Sequence, residues 1–489
     1  MRFSTFVIAI FVPVYACGAV IHVADDQLPT QGDFGDARHN MIYSTIQAAI
    51  DAAQDGDTVL IAPGVYTGDG NRDVVFYGRT ITVLAEGDAI DCVIDCQGSE
   101  SEPHRGFLFV SQEGPGTVIK GLSIINGWAD DGGAIFLGSE TEPTISNCRF
   151  VNNHALRGGA IGGTEPSRRM ALNGCWFESN SADYGGAING GSVPSGVRDC
   201  QFIGNHVTVL GSAVAGTLAR YVACLFDGNT GPGYVIHYKG LIDSCLFIRN
   251  QGSVIYSQGA FMYPSKQVRH STFYDNDTVF HMAEDGGLDL YDVLIAHNKG
   301  PAATCYSCGG CPYTPHPSLY NCNLYGNLPY GGDCVVSHVG TQGNISEDPL
   351  FCDTANDNFG LHFDSPCIGA GYDGGDIGLY GVNCGPVAVD QDETFGSFMF
   401  CLSQNRPNPF NAATSIEYTM PGGCRVSLAV YNLLGQRVRM LVESYQSAGR
   451  HEITWDGRDD GGHEVASGLY LYRISAGDDA DAKTMVLLK

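Results

Sequence analysis

The sequence predicts an all-β chain: a right-handed parallel β-helix with an N-terminal capping helix, followed by a small Ig-like β-sandwich. Three observations carry this expectation. A phrase recurs as Cys148-Arg-Phe150-Val-Asn-Asn153, Cys175-Trp-Phe177-Glu-Ser-Asn180, Cys200-Gln-Phe202-Ile-Gly-Asn205, Cys224-Leu-Phe226-Asp-Gly-Asn229 and Cys245-Leu-Phe247-Ile-Arg-Asn250, at intervals of 21 to 27 residues. A second phrase, Gly132-Gly-Ala-Ile135, returns at Gly158-Gly-Ala-Ile161 and Gly185-Gly-Ala-Ile188, then loosely at Gly211 and Gly252. Beyond Asn405 the pattern changes to longer alternating strands split by turn signals such as Asp456-Gly457. A period in the twenties with short strands and no helical pattern marks a β-solenoid.

Residue chemistry explains the period. Cys and Phe two apart share one face of a strand, and the residue between them faces outward. Ile145 is out of phase with Cys148, so both reach a core only if the chain bends at Asn147; Gly174, Asp199, Ser244 and Asn321 hold the equivalent positions. A second bend follows the closing Asn, which tolerates left-handed backbone and bonds neighbouring peptide groups. Stacking then lines up columns of Cys, Phe and Asn, the last formed by Asn153, Asn180, Asn205, Asn229 and Asn250.

In chain order, Met1-Arg2, the apolar run Phe6 to Tyr15 and the small residues up to Ala19 read as a secretory signal peptide, residues 1–19, with cleavage before Cys17 as a lipoprotein alternative. No other stretch is apolar enough to span a bilayer. Ser44-Thr-Ile-Gln47 reads as a capping box opening a helix that buries Ile46, Ala49, Ile50 and Ala53. A β-helix exposes core and strand edges at its ends, and this helix is the expected lid. The β-helix spans 20–385, with irregular last coils from Asp348 on. Residues 386–404 read as a linker or a closing strand, and 405–489 as the sandwich.

Composition narrows the partners. The net charge of −27 excludes nucleic acid and anionic membrane and permits calcium, for which Asp69, Asn71 and Asp73 are candidate ligands in one loop. Sixty-five glycines among 489 residues suit a turn-dense solenoid. Export permits disulfides. The column Cys148, Cys175, Cys200, Cys224 and Cys245 is expected as free thiols, because in-register strands hold parallel side chains about 4.8 Å apart. Cys305, Cys308 and Cys311 beside His316 suit disulfide staples or, less naturally, zinc. Cys352, Cys367 and Cys384 are disulfide candidates.

The two recurrent phrases resemble those of chlamydial polymorphic outer-membrane proteins. The helix followed by Gly56-Asp-Thr-Val-Leu-Ile-Ala-Pro-Gly-Val-Tyr66 is similar to the entry of bacterial β-helix proteins of the pectin-lyase fold. The tail, with Asn405-Arg-Pro-Asn-Pro-Phe-Asn411, Val430-Tyr-Asn-Leu-Leu-Gly435, Thr454-Trp-Asp-Gly457 and Ala466-Ser-Gly-Leu-Tyr470, resembles type IX secretion sorting domains and the Ig-like domain of flagellar hook-capping proteins. The resemblance implies type IX machinery as a partner and a secreted or outer-surface location on a double-membraned bacterium.

For chemistry the sequence offers less. The Asn-Thr-Asp, Asp-Asp, Gly-His-Gly and Arg-x-Lys pattern of polygalacturonases is not assembled, and Asp130-Asp131 is an adjacent acid pair that a turn explains. A binding module for an extended polymer such as extracellular polysaccharide, or for a cell-surface component, is the leading expectation, with no cofactor. A lyase or glycoside hydrolase and a surface spacer are the alternatives. The outward position of the repeat reads Arg149, Trp176, Gln201, Leu225, Leu246 and Thr272. Arg149, Trp176 and Gln201, extended by Trp128, form the candidate sugar platform. Leu225 and Leu246 imply a covered face, with the 305–322 excursion as the candidate cover.

Overall fold

Side chains two apart on a strand share a face, and the Cys-x-Phe phrase thereby buries both residues in every coil: Cys148 to Cys245 and Phe150 to Phe247 are at most 2% exposed. The computed structural model describes residues 19–24, 42–163, 170–190, 192–215, 218–237, 240–258, 266–283, 287–306, 317–328, 334–372, 374–384, 401–403, 405–408, 410–411, 413–420, 424–432, 436–446, 449–476 and 479–488. Residues 1–18 of the expected signal segment, Cys308, Cys311, His316 and most of the expected linker lie outside these. Short parallel strands stack into three long sheets of a right-handed parallel β-helix. Sheet I has thirteen strands, from Ile42–Tyr43 to Pro317–Tyr320. Sheet II has eleven, from Gly64–Tyr66 to Asn323–Tyr325, and sheet III ten, from Val74–Val75 to Ala303–Tyr306. A fourth sheet of four strands (Trp128–Asp131, His154–Arg157, Ser181–Tyr184, His206–Leu210) forms a shelf between sheets II and III.

The bend from sheet I to sheet II uses one left-handed residue, among them Asn147, Asp199, Ser244 and Asn321, with φ of 50–53°. At the next bend the left-handed residue is the one before the closing Asn, namely Asn152, Ser179, Gly204, Gly228 and Arg249, with φ of 54–60°. The closing Asn itself does not take the left-handed turn expected of it. That geometry turns its carboxamide into the interior. Asn180 donates its backbone N–H and Nδ2 to Asn205 Oδ1 at 3.1 and 3.0 Å, and Nδ2 also donates to the Phe150 carbonyl at 2.9 Å. The ladder runs from Asn153 through Asn276 and Asn298 to Asn327. Beside it, rings from Phe150 to Phe273 stack with centroids 4.6–4.9 Å apart.

The cysteine column has a bonding role as well as a packing one. Each thiol donates to the carbonyl two residues earlier, as Cys200 Sγ does to Arg198 at 3.1 Å and Cys245 Sγ to Asp243 at 3.2 Å. Ser271 takes the column's next place because its hydroxyl makes the same bond, to Arg269 at 2.6 Å. The five column cysteines, with Cys92, Cys96 and Cys322, are free and buried.

The lid helix is Ile46–Ala52, with Ile46, Ala49 and Ile50 buried. Its N-cap is Thr45, whose hydroxyl accepts from Ala48 N at 3.3 Å, so the expected box is displaced by one residue. Gln47 is instead recruited to the edge of sheet III, bonding both backbone groups of Val75. At the far end, Val335 is buried against the last coils and the Cys305–Cys334 disulfide fastens that segment.

Past Ile345, which still bridges Asn323 in parallel, residues 346–384 do not continue the coils. They fold back as a strap over the outward face of sheet II, where Phe359 packs on Leu246 and Ile248, and Leu361, Cys367 and Ile377 pack on Leu294 and Ala296. Leu225 and Leu246 are covered by this strap, through Phe351, Leu379 and Tyr380; residues 307–316 of the expected 305–322 cover lie outside the described residues. Arg249 pairs with Asp227 beneath and Asp357 above, and Asp292 Oδ1 accepts from Tyr372 N at 2.7 Å. Cys352 and Cys384 form a disulfide. Cys367, expected in the same set, is a free buried thiol, held 3.1 Å from Asn323 Nδ2 in the apolar contact under the strap.

The sandwich has its own core around Trp455, Tyr418 and Tyr472. Thr414–Met420 and Gly449–Trp455 form one sheet with Cys401–Leu402, a strand beginning before residue 405. Cys424–Tyr431, Arg437–Gln446, Gly468–Ala476 and Asp479–Leu487 form the other. Among the described residues no helix is long and apolar enough to cross a membrane.

Candidate functional site

The recurrent Gly-Gly-Ala-Ile phrase joins the shelf to sheet III. Its first glycine is left-handed (Gly158, φ 68°), and a Cβ on its second, Gly159, would lie 2.2 Å from the Gly186 carbonyl. The shelf persists while the chain has length for it. From ladder Asn to the register-matched core residue of sheet III there are eight positions at Asn153–Ile161 and Asn180–Ile188, and nine at Asn205–Val214. The connection then shrinks to seven at Asn229–Ile236, five at Asn250–Ile255 and four at Asn276–Phe280. The shelf stops after His206–Leu210, and the coil surface steps inward.

The step is a cleft of about 500 Å³ bounded by Leu210, Gly233, Tyr234, His237, Ser253, Tyr256 and His281. Gly233 (φ 88°) forms its rim, where a Cβ would fall 2.5 Å from Leu210 Cδ1. His237, Tyr256 and His281 occupy one outward register position in three successive coils. Their rings form a run: Tyr234 stacks on Tyr256 at 5.2 Å, Tyr256 lies 5.4 Å from His281, and His281 stacks on the exposed Tyr306 at 4.9 Å. Burial, then the neighbouring Tyr256, pushes the Tyr234 phenol up to about 12. Burial alone lowers the pKa of His281, which favours its neutral imidazole.

The row expected from sequence lies elsewhere. Arg149, Trp176 and Gln201 are in register on sheet II. The Arg149 guanidinium lies 5.6 Å from the indole centroid and 3.2 Å from Glu178 Oε2, and Gln201 is only 8% exposed. Gln201 is thus withdrawn from the surface the row was expected to present. Trp176 is half-buried, and its Nε1 has no hydrogen-bond partner among the described residues. Trp128 does not extend this row. It opens the first shelf strand, past the Asn bend, and stacks on His154 at 3.8 Å.

The loop proposed for calcium is committed to other bonds. Asn71 Oδ1 accepts from Ile46 N at 3.0 Å, Asp73 bonds His104 Nδ1 at 2.6 Å and Arg105 N at 3.0 Å, and Asp69 pairs with Arg72. Among the described residues no cluster of three His, Cys, Asp or Glu is placed to hold a metal.

Fold and site together define a parallel β-helix protein with a surface cleft, joined to an Ig-like sandwich. Residues 410–480 match the family model of the FlgD Ig-like domain. No curated protein matches the chain. Among solved structures it is similar to latent PorU from Porphyromonas gingivalis, at 20% identity over 18% of this chain and 9% of that one, with a TM-score of 0.16. It is also similar to a PL6 family alginate lyase, at 12% identity over 73% of this chain and 60% of that one, TM-score 0.32. A third is the tailspike protein of E. coli bacteriophage HK620, at 12% identity over 96% and 87%, TM-score 0.29.

Proposed function

We propose that this chain is an exported surface or secreted protein whose β-helix binds an extended polysaccharide, with the cleft at the end of the shelf as the binding site. One observation carries the reading: Tyr256, His281 and Tyr306 present a run of rings across three coils, about 10 Å long, along a preformed cleft, backed at one end by the buried ring of Tyr234. Ring faces stack on the apolar faces of sugars, while phenol and imidazole edges bond hydroxyls. The binding role is favoured over glycoside hydrolysis because hydrolysis commonly needs two carboxyl groups roughly 5–9.5 Å apart, and the described lining of the cleft supplies none. Export is supported by the apolar N-terminus and by the tail's resemblance to sorting domains. Residues 405–489 are the segment proposed to engage type IX machinery.

Retention of the full chain on a panel of immobilised polysaccharides tests the reading. Tyr306→Ala, at a side chain 58% exposed, should weaken retention without altering the fold. Retention indifferent to both Tyr306→Ala and Tyr256→Ala would remove the cleft from the function. Deleting 405–489 in a host with type IX machinery should leave the protein in the periplasm; equal surface display would reduce the tail to a structural module.

A further inference from the structure

Every described side chain lining the cleft is uncharged or weakly basic: Leu210, Tyr234, Ser253 and Tyr256 carry no charge at neutral pH, leaving the two imidazoles of His237 and His281. His281 touches Tyr256 and Tyr306 and bonds Thr304 Oγ1 at 3.4 Å, and among the described residues no carboxylate pairs with it. Its partial burial works in the same direction, against the imidazolium. In sequence alone, Lys239 follows one of the strands that carry the cleft and Glu284-Asp285 another, more acid than base. Beyond them lies a chain of net charge −27.

A uronate polymer presents one carboxylate per acidic sugar, and a site that desolvates a carboxylate needs a cation or several aimed donors to compensate. The ring run supplies stacking faces and hydroxyl partners, with no guanidinium or ammonium among the described lining groups. Resting on the polysaccharide reading above, we infer that the cleft takes neutral glycans and rejects polyuronates. The chain thereby separates polymers that a β-helix surface of the same shape, but with a basic cleft, would confuse. Rejection originates in the cleft, where the lack of a cation among the described lining groups is a short-range property, and not only in the long-range field of an acidic protein.

Biolayer interferometry with the full chain tests this on immobilised laminarin, xyloglucan, polygalacturonate and alginate. The expected result is binding to a neutral glycan and none to either polyuronate. Raising salt to about 0.5 M, where the screening length falls to about 4 Å, should not restore polyuronate binding, because screening removes the field of the whole protein and leaves the cleft unchanged. Tyr256→Ala should weaken neutral-glycan binding by about tenfold, or roughly 1.4 kcal/mol. Tyr306→Ala, at the exposed end of the run, gives the same direction should the first variant fold poorly. Polyuronate binding that Tyr256→Ala or Tyr306→Ala abolishes would overturn the inference about charge and leave the cleft as the site. Polyuronate binding that appears only in high salt would overturn it too, assigning rejection to net charge. Neutral-glycan binding unaffected by both variants, or no binding to any of the four polymers, would overturn the site itself.

Discussion

Truncating Asn180 to Ala removes four bonds at once. Asn153 loses the acceptor for its backbone N–H and for one Nδ2 proton, both at 3.0 Å, and the Phe150 carbonyl loses its 2.9 Å donor. The fourth bond, to Asn205 Oδ1, costs less, because that oxygen keeps the backbone N–H of residue 180 at 3.1 Å. Asn153, Asn180 and Asn205 are fully buried, so water cannot replace the missing partners without a cavity opening. Three stranded groups at about 1–3 kcal/mol each, with some relaxation, give a destabilisation of about 3–6 kcal/mol. Because stacked coils can open locally, the assay combines a urea midpoint with hydrogen exchange at individual amides. The midpoint should fall, and protection should drop most at the amides of residues 153 and 180 and fade a coil or two away. An unchanged midpoint with undiminished protection at Asn153 would refute the claim that the ladder holds the second bend.

Other expectations follow from the same geometry. Burial raises the thiol pKa of Cys148, Cys200, Cys245 and Cys322, the last to about 12, and every thiol of the column is buried, so alkylation at pH 8 should spare the column natively and modify it in denaturant without reductant; recovery as disulfides would contradict the stacking. His270 sits between Asp243 (3.1 Å) and Asp292 (3.5 Å), and these bonds raise its pKa to about 10. The raised value means its stabilisation is complete below about pH 6.5 and is lost as pH rises toward 10, so the melting-temperature gap between parent and His270→Gln should shrink across that window. With 43% of its side chain exposed, screening keeps the effect modest, and a gap that widens with pH would refute the assignment. Trp176→Ala should leave polysaccharide retention intact, while Tyr256→Ala reduces it; the reverse pattern would return the site to the Arg149 row.

Much of this was open to reading in the residues. Strand periodicity alone places Cys148 and Phe150 inward and Arg149 outward, and the repeat interval alone stacks Arg149, Trp176 and Gln201 in register, because both are properties of the backbone. The bends were legible from turn-forming residues, although not which residue at the second bend takes the left-handed conformation. That choice depends on the Asn carboxamide finding partners in two neighbouring coils. The cleft was half-legible: the shortening from Asn205–Val214 to Asn276–Phe280 is in the sequence, and so are the rings after Ile236, Ile255 and Phe280. Its meaning depends on where the shelf stops, which is a relation between coils. Tertiary structure alone decided the strap, since residues 346–384 carry no periodicity linking them to Leu246 or Leu294. It likewise decided that Cys352 meets Cys384 while Cys367 faces Asn323, and that Gln201 is buried in a row expected to be exposed. Local pattern fixes which face a side chain occupies; what covers that face is set by distant chain, through burial energy that no local pattern encodes.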